Sequence, residues 1–380
     1  MRCRRLRPEQ GLGVTRFSAL GAVHPNQPLS VLAVGIPEST RQALASLLDA
    51  PEFRLDFASD AVEVRRTLED RRPRLLLVDA ALPEAAALLR SSSERLELPS
   101  VVTCRSEADR TLLSALLDAG ALDVAVYPTS DGISSRELVE AESIFRETLR
   151  DASSARLAAR QVAPAALRQW HRDSPLPPRA RRGSLELPTL IAMGCATGGL
   201  DALGVLLAGL PEDAPGMIIA QHGSPSFIEA ARASLASVSR VLVRVAEHGE
   251  RVEPGLALLA PGDRHLRAVR RGSGYRVSIS DGPLVARRRP STDVLLQSAA
   301  EAAGGAAIGV ILSGTGTDGC EGAASLKRSM AATFAQDEAT SIAPGMPSAA
   351  IARGVVDVVA PHVHLPALIV RRATAPRGRG

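Results

Sequence analysis

The chain is almost without lysine. Lys327 is the only one in 380 residues, so nearly all positive charge is arginine. With 45 basic and 41 acidic residues, the formal net charge is +4. So small a balance at this length gives no electrostatic footprint for nucleic acid or a membrane surface. The arginine and alanine bias runs through the whole chain, so single arginines carry little weight. Cysteine is scarce as well. Cys3, Cys104, Cys195 and Cys320 are scattered, without CxxC or metal-ligand spacing. That argues against disulfides and a metal site, and the expected location is a reducing cytoplasm. No apolar run approaches the roughly 20 residues needed to span a bilayer, so no membrane insertion is expected. The opening MRCRRLRPEQ is charged but no hydrophobic core follows, so it does not read as a signal peptide. Residues 1–28 are expected to be disordered, as is the tail 371–380.

What is present is ordinary globular composition, 45% hydrophobic and 23% charged, in a length that suits two or three domains. From Leu29 apolar strands alternate with helices. LSVLAVGI, Arg54–Phe57, Arg74–Val78, Ser100–Cys104 and Val124–Tyr127 read as five strands; Arg41–Leu48 and Ala61–Leu68 read as helices. Such alternation implies a parallel sheet covered on both faces, here a flavodoxin-like domain over 29–130. Ser134 to about Arg168 has helical spacing with charges interleaved, and reads as a solvated spacer. SPLPPRARRGSLELP, Ser174–Pro188, is a boundary rich in proline and arginine, so 131–186 is the expected linker.

The second domain, 187–370, opens with an apolar run, Leu190–Met193, and a glycine-rich turn, Gly194-Cys195-Ala196-Thr197-Gly198-Gly199. Leu200, Leu203, Leu206, Leu207 and Leu210 follow at helical spacing. N–H groups at such a helix start can hold an anion or a developing oxyanion, which singles out Thr197, Gly198 and Gly199. The spacing is neither GxGxxG nor a P-loop, so no nucleotide or other cofactor is expected. Further strands are expected at Gly216–Ala220, Val241–Val245, Ala307–Leu312, Ala332–Ala335 and Val355–Val359. Gly255–Ala260 and Tyr275–Ser280 are expected to form a hairpin or meander. Helices are expected at Pro225–Leu235, Thr292–Ala303, Cys320–Met330 and Met346–Ala352.

Three strands end in polar loops: CATGG, AQH and SGTGTDG. In an open α/β sheet the carboxyl ends of the strands line one edge, where ligands bind. Position 196, His222 and Asp318 are therefore candidates to meet as nucleophile, base and orienting acid. Histidine and aspartate are in place, but residue 196 is alanine. Cys195, Thr197 and a water activated by His222 are the alternative nucleophiles. Cys320 reads as packing, and His248, His265, His362 and His364 have no evident cluster partners.

Two resemblances follow. The first domain resembles a response-regulator receiver domain, with Asp79 in LLLVDAALP at the phospho-acceptor position. The acidic pair expected after the first strand is replaced by VGIPEST, with Glu38 nearby, and Tyr127 precedes Pro128 where receivers carry lysine. Phosphoryl transfer needs a divalent ion and a cation, so the resemblance implies docking rather than phosphorylation of Asp79. The second domain resembles the catalytic domain of the CheB protein-glutamate methylesterases. MGCATGG, IIAQH, LLAPGDRHL, RRRPSTDVLLQSAA, GVILSGTGTDG, AQDEATS and GMPSAAI carry the resemblance in order. It implies a doubly wound, mostly parallel Rossmann-like domain. It also implies chemotaxis-type signalling on methyl-accepting chemoreceptor-type proteins, with a histidine kinase of the same array as a further partner. The family serine falls on Ala196, its histidine on His222 and its aspartate on Asp318. The Met-Pro-Pro run usual after the histidine is Gly223-Ser224-Pro225 here. Both an enzyme with an unusual nucleophile and a non-catalytic receptor-binding homologue remain open at this level, the latter favoured.

Overall fold

A computed structural model describes residues 27–105, 110–129, 134–159 and 188–375. Most of the expected N-terminal tail, nearly all of the Pro/Arg-rich boundary and the last five residues lie outside them.

Five strands build the first sheet: β1 (Leu29–Val34), β2 (Phe53–Ala58), β3 (Leu75–Asp79), β4 (Ser100–Cys104) and β5 (Asp123–Val126). Their order is β2-β1-β3-β4-β5, and every neighbouring pair is parallel. This is the flavodoxin-like order. The inner strands are apolar on both faces because helices cover both: α1 (Glu38–Leu47), α2 (Ala61–Arg71), α3 (Ala85–Glu94), α4 (Arg110–Asp118) and α5 (Ser135–Ser153). Helix α3 and helix α4 were not read from the sequence.

Helix α5 corrects the spacer reading. It starts at a capping box, Ser134 with Glu137. Phe145, Leu149 and Ala152 are buried in one cluster with Val31, Leu75 and Val101 of the first sheet. The interleaved charges mark its outer face, and the apolar stripe is docked.

The second sheet has seven strands: β6 (Leu190–Cys195), β7 (Met217–Gln221), β8 (Leu242–Val245), β10 (Leu256–Leu259), β13 (Ala307–Ile311), β14 (Ala332–Gln336) and β15 (Val358–Ala360). The order is β15-β14-β13-β6-β7-β10-β8, parallel throughout. From β6 the chain winds outward to β7 on one side, then returns to β13 on the other. The strand order therefore reverses at β6 and β13, where α/β sheets hold ligands. The helices of this half are α6 (Gly199–Gly209), α7 (Pro225–Val238), α8 (Thr292–Ala303), α9 (Cys320–Arg328), α10 (Gly345–Ala352) and α11 (Leu365–Thr374).

The expected hairpin is not formed. Strand β10 joins the parallel sheet, while β12 (Gly274–Ser280) pairs antiparallel with β11 (His265–Arg271) and with β9 (Arg251–Val252) in a separate small sheet. The continuous apolar run Leu256–Leu259 is what a strand buried on both faces requires, whereas β11 alternates.

The two halves are in contact. Ser234 on α7 donates to the Asp118 carboxylate on α4 at 2.6 Å. Arg287, Arg288 and Arg289 face the acidic side of α5, pairing with Glu147, Asp151 and Glu140. Among the described residues, no helix is long and apolar enough to cross a membrane.

Candidate active site

The carboxyl ends of β6, β7 and β13 bring three loops together at the point where strand order reverses. Cys195 and Gln221 are register partners at the ends of β6 and β7. The next residues are Ala196 and His222, and the His222 N–H donates to the Cys195 carbonyl at 3.0 Å. The buried Gln221 side chain bridges them, donating Nε2–H to the carbonyls of Ala196 at 3.0 Å and His222 at 2.8 Å. The loop after β13 closes from the other side. The Ala196 N–H donates to the Ser313 carbonyl at 2.9 Å. A Cβ on Gly314 would lie 2.9 Å from that of Ala196.

His222 Nε2 lies 2.8 Å from Asp318 Oδ2. Both residues are buried, at 6% and 3% exposure, and Ala196 is 4% exposed. Asp318 is held by the start of α8: the N–H groups of Thr292 (2.7 Å) and Asp293 (3.0 Å) and the Ser291 hydroxyl (2.8 Å) all donate to its carboxylate. Burial pushes the Asp318 pKa up. The hydrogen bond and charge of His222, with the N–H groups of Asp293 and Thr292, outweigh burial and hold it at about 2. The arrangement is reciprocal, because the Asp293 carboxylate accepts from the N–H groups of Gly319 (2.9 Å) and Gly322 (2.8 Å) at the start of α9. Each aspartate thus caps the other's helix. Burial, with the Asp318 charge adding to it, pushes Asp293 up to about 6.

With the Asp318 carboxylate taking the Nε2–H, a neutral His222 ring presents Nδ1 as a bare acceptor. That nitrogen is buried and has no hydrogen-bond partner. Leaving such a group unpaired costs about 1–3 kcal/mol.

The turn at 194–199 is shaped by what surrounds it. A Cβ on Gly194 would sit 1.9 Å from Thr292 Cγ2, so only glycine lets α8 approach. Gly198 has φ +72° and caps α6 in the left-handed region. The amides of Ala196 and Gly199 are spent on Ser313 and Ala196 carbonyls. Of the turn's anion-holding candidates this leaves the N–H groups of Thr197 and Gly198. Ser313 fixes the turn, donating its hydroxyl to the Thr197 carbonyl at 2.8 Å while accepting from Ala343 N–H at 2.9 Å.

This geometry matches what comparison with known proteins finds. The CheB methylesterase family model matches residues 191–369. A protein-glutamate methylesterase/protein-glutamine glutaminase of group 3 operon from Bradyrhizobium diazoefficiens is 35% identical over 350 residues, covering 90% of this chain and 95% of that protein. The chain belongs to the CheB family. A second member, protein-glutamate methylesterase/protein-glutamine glutaminase 5 of Anaeromyxobacter dehalogenans, is 38% identical over 357 residues, covering 91% of this chain and 97% of the relative. The crystallised Thermotoga maritima CheB methylesterase catalytic domain is 32% identical, covering 48% of this chain and 98% of that one, with a TM-score of 0.48.

The other candidates fall elsewhere. Cys195 is fully buried beneath the turn, and its Sγ–H donates to Gln221 Oε1 at 2.9 Å. Burial drives its pKa far up, so the thiolate needed for attack is not formed. Cys320 packs at the start of α9, its thiol also pushed up by burial and by the Asp293 charge. His265 joins its Nε2 to the Pro283 carbonyl (2.9 Å) and accepts the Ser291 N–H on Nδ1 (3.2 Å). It thus supports the segment that holds Asp318. His248 bonds the Ile279 backbone at the surface. Burial lowers the pKa of His362, and His364 begins α11. Gln221, Ser291 and Ser313 were not singled out in the sequence, where a buried Gln or Ser carries no signal.

Asp79 accepts the Ala81 N–H at 2.8 Å. It shares a small recess with Thr40, Thr103, Arg105 and Tyr127 and is the only carboxylate among the described residues that line it. Glu38 is turned outward onto Arg41 at 3.0 Å.

Proposed function

We propose that this chain is a receptor-recognising member of the CheB family that no longer turns over its substrate. In this reading the second half engages methyl-accepting chemoreceptor-type proteins in chemotaxis-type signalling in the cytoplasm. His222 and Asp318 are the family's base and orienting acid, and Thr197 and Gly198 are the turn's anion-facing donors. Ala196 takes the place of the serine. Partners are the receptors and the histidine kinase of their array.

The observation that carries this reading is the buried His222–Asp318 pair, its second ring nitrogen unpaired, at the end of the strand that neighbours Ala196. In an acyl-transfer site that nitrogen receives the proton of the attacking hydroxyl. A methyl group has no proton to give and no lone pair to attack a carbonyl. Loss of a triad serine lowers kcat about 10⁶-fold, near 8 kcal/mol of barrier. The buried, protonated Cys195 and Cys320 thiols support the absence of a substitute. The receiver-like half fits the same reading, with Asp79 lacking both a metal-binding partner and a lysine. It would dock without a phosphorylation switch.

The test uses the whole chain and a methylated receptor signalling fragment. The fragment should bind, and methanol release should stay at the uncatalysed level. Release by the unaltered chain that depends on His222 would overturn the proposal, as would failure to bind the fragment.

A further inference from the structure

We infer that Arg156, just past α5, is a positioning residue for the turn at 196–199. Through the loop of residues 338–343 it holds the peptide that carries the Gly198 donor, so the first half of the chain completes the candidate site of the second. This rests on the reading above only in taking Thr197 and Gly198 as the anion-facing donors. It goes beyond that reading by naming the group that aims one of them.

The route is continuous. The Arg156 backbone N–H donates to the Ile342 carbonyl at 2.7 Å. Its Nη2–H groups donate to the carbonyls of Glu338 at 2.7 Å and Ser341 at 3.3 Å, and Nη1 reaches the Glu338 carboxylate at 3.4 Å. A planar guanidinium can serve several acceptors at once, which a lysine ammonium on a flexible stem does poorly. Ile342 is 2% exposed and is buried in one cluster with Phe145, Leu149 and Leu157 of the first half. The same side chain lies against the turn, since a Cβ on Gly198 would stand 2.5 Å from Ile342 Cβ. The next residue, Ala343, donates its N–H to Ser313 Oγ at 2.9 Å, and that hydroxyl donates to the Thr197 carbonyl at 2.8 Å.

The Thr197 carbonyl and the Gly198 N–H belong to one planar trans peptide and point in opposite directions. Fixing the oxygen therefore fixes the direction of the N–H. The Arg156 side chain is 44% exposed, so its ion pair adds little to overall stability. Its effect falls on the local opening of the loop.

The experiment uses the full chain labelled with ¹³C′-threonine and ¹⁵N-glycine. Threonine precedes glycine at Thr197–Gly198 and Thr315–Gly316, so the carbonyl–amide correlation spectrum holds one signal from each, told apart with Thr315→Ser. Arg156→Ala should move the Thr197–Gly198 signal in the direction that Ser313→Ala moves it. The Ala343 amide should exchange with solvent about 10-fold or more faster, with the urea midpoint nearly unchanged. Arg156→Lys should recover only part of both effects. Arg150→Ala, which removes a surface pair with Glu52, should change neither. An unmoved signal with unchanged Ala343 exchange would overturn the inference. So would equal changes in Arg150→Ala, or changes that appear only with a matching loss of global stability. None of these readouts needs a receptor or turnover, so failure here leaves receptor recognition standing, and failure of recognition leaves this inference standing.

Discussion

The two halves of this chain build their candidate sites in different ways. In the receiver-like half the candidate site is sparse. The acidic pair is absent, the lysine position is Tyr127, Glu38 faces Arg41, and Asp79 is left holding one backbone amide. In the CheB-type half Ala196 sits within a dense set of hydrogen bonds: Gln221 ties two strands, Ser313 pins the turn, and Asp318 is gripped by α8 and His222. A phosphorylation site is a cluster of exposed charges with little else to do. The second site is cut into the packing of a sheet edge, so most of its members also hold the fold together.

The sharpest test of this contrast is Ala196→Ser. If the second site lacks only its nucleophile, methanol release from methylated receptor should rise by up to about 10⁶-fold. It should vanish again on adding His222→Ala. No release with serine in place would show that the groove, too, has drifted, and the contrast between the halves would fail. The matching experiment on the first half is exposure to a small phosphodonor with Mg²⁺. No acid-labile phosphate should form on Asp79, and finding it would mean that half is the better preserved.

Stability measurements refine the same comparison. Asp318→Ala strips partners from two amides, a hydroxyl and a histidine, and should cost about 3 kcal/mol by urea unfolding. Asp79→Ala should cost about 1 kcal/mol or less, since one amide is freed at a half-buried position. The two aspartates that cap each other also differ in sign. The Asp318 pKa is lowered, from 3.8 to about 2, so its stabilisation is fully present above pH 4 and is lost as pH falls towards 2. That of Asp293 is raised to about 6, so the native state favours its protonated form, and this contribution is lost as pH rises through 6. Asp293→Asn keeps an acceptor for Gly319 and Gly322. It should raise Tm by a few degrees at pH 7, with the difference closing towards pH 4.

The strands were legible because parallel sheets need uninterrupted apolar runs, and Leu75–Val78 and Leu190–Met193 are such runs. The polar loops that carry His222 and Asp318 showed where a site would gather. Three things were hidden. The register of β10 was not visible because Gly255–Ala260 and Tyr275–Ser280 are both strand-like, and only packing decides which sheet each joins. The docking of α5 was masked by its charged outer face, although Phe145 and Leu149 were already noted at helical spacing. The residues that tune the site reach distant segments, Gln221 the Ala196 carbonyl, Ser291 the Asp318 carboxylate and Asp293 the amides of Gly319 and Gly322, a relation that no local pattern records.

The mutual capping at 293 and 318 has one more consequence. Ala196 takes part in the surrounding hydrogen bonds through its backbone alone, so its side chain contributes none of them. The carboxylate at 318 anchors the beginning of α8 and the ring of His222, so losing it is penalised whether or not anything is hydrolysed. Substitutions around such a centre are therefore unequal: a side chain outside the hydrogen-bond network changes cheaply, whereas one that holds a helix start does not.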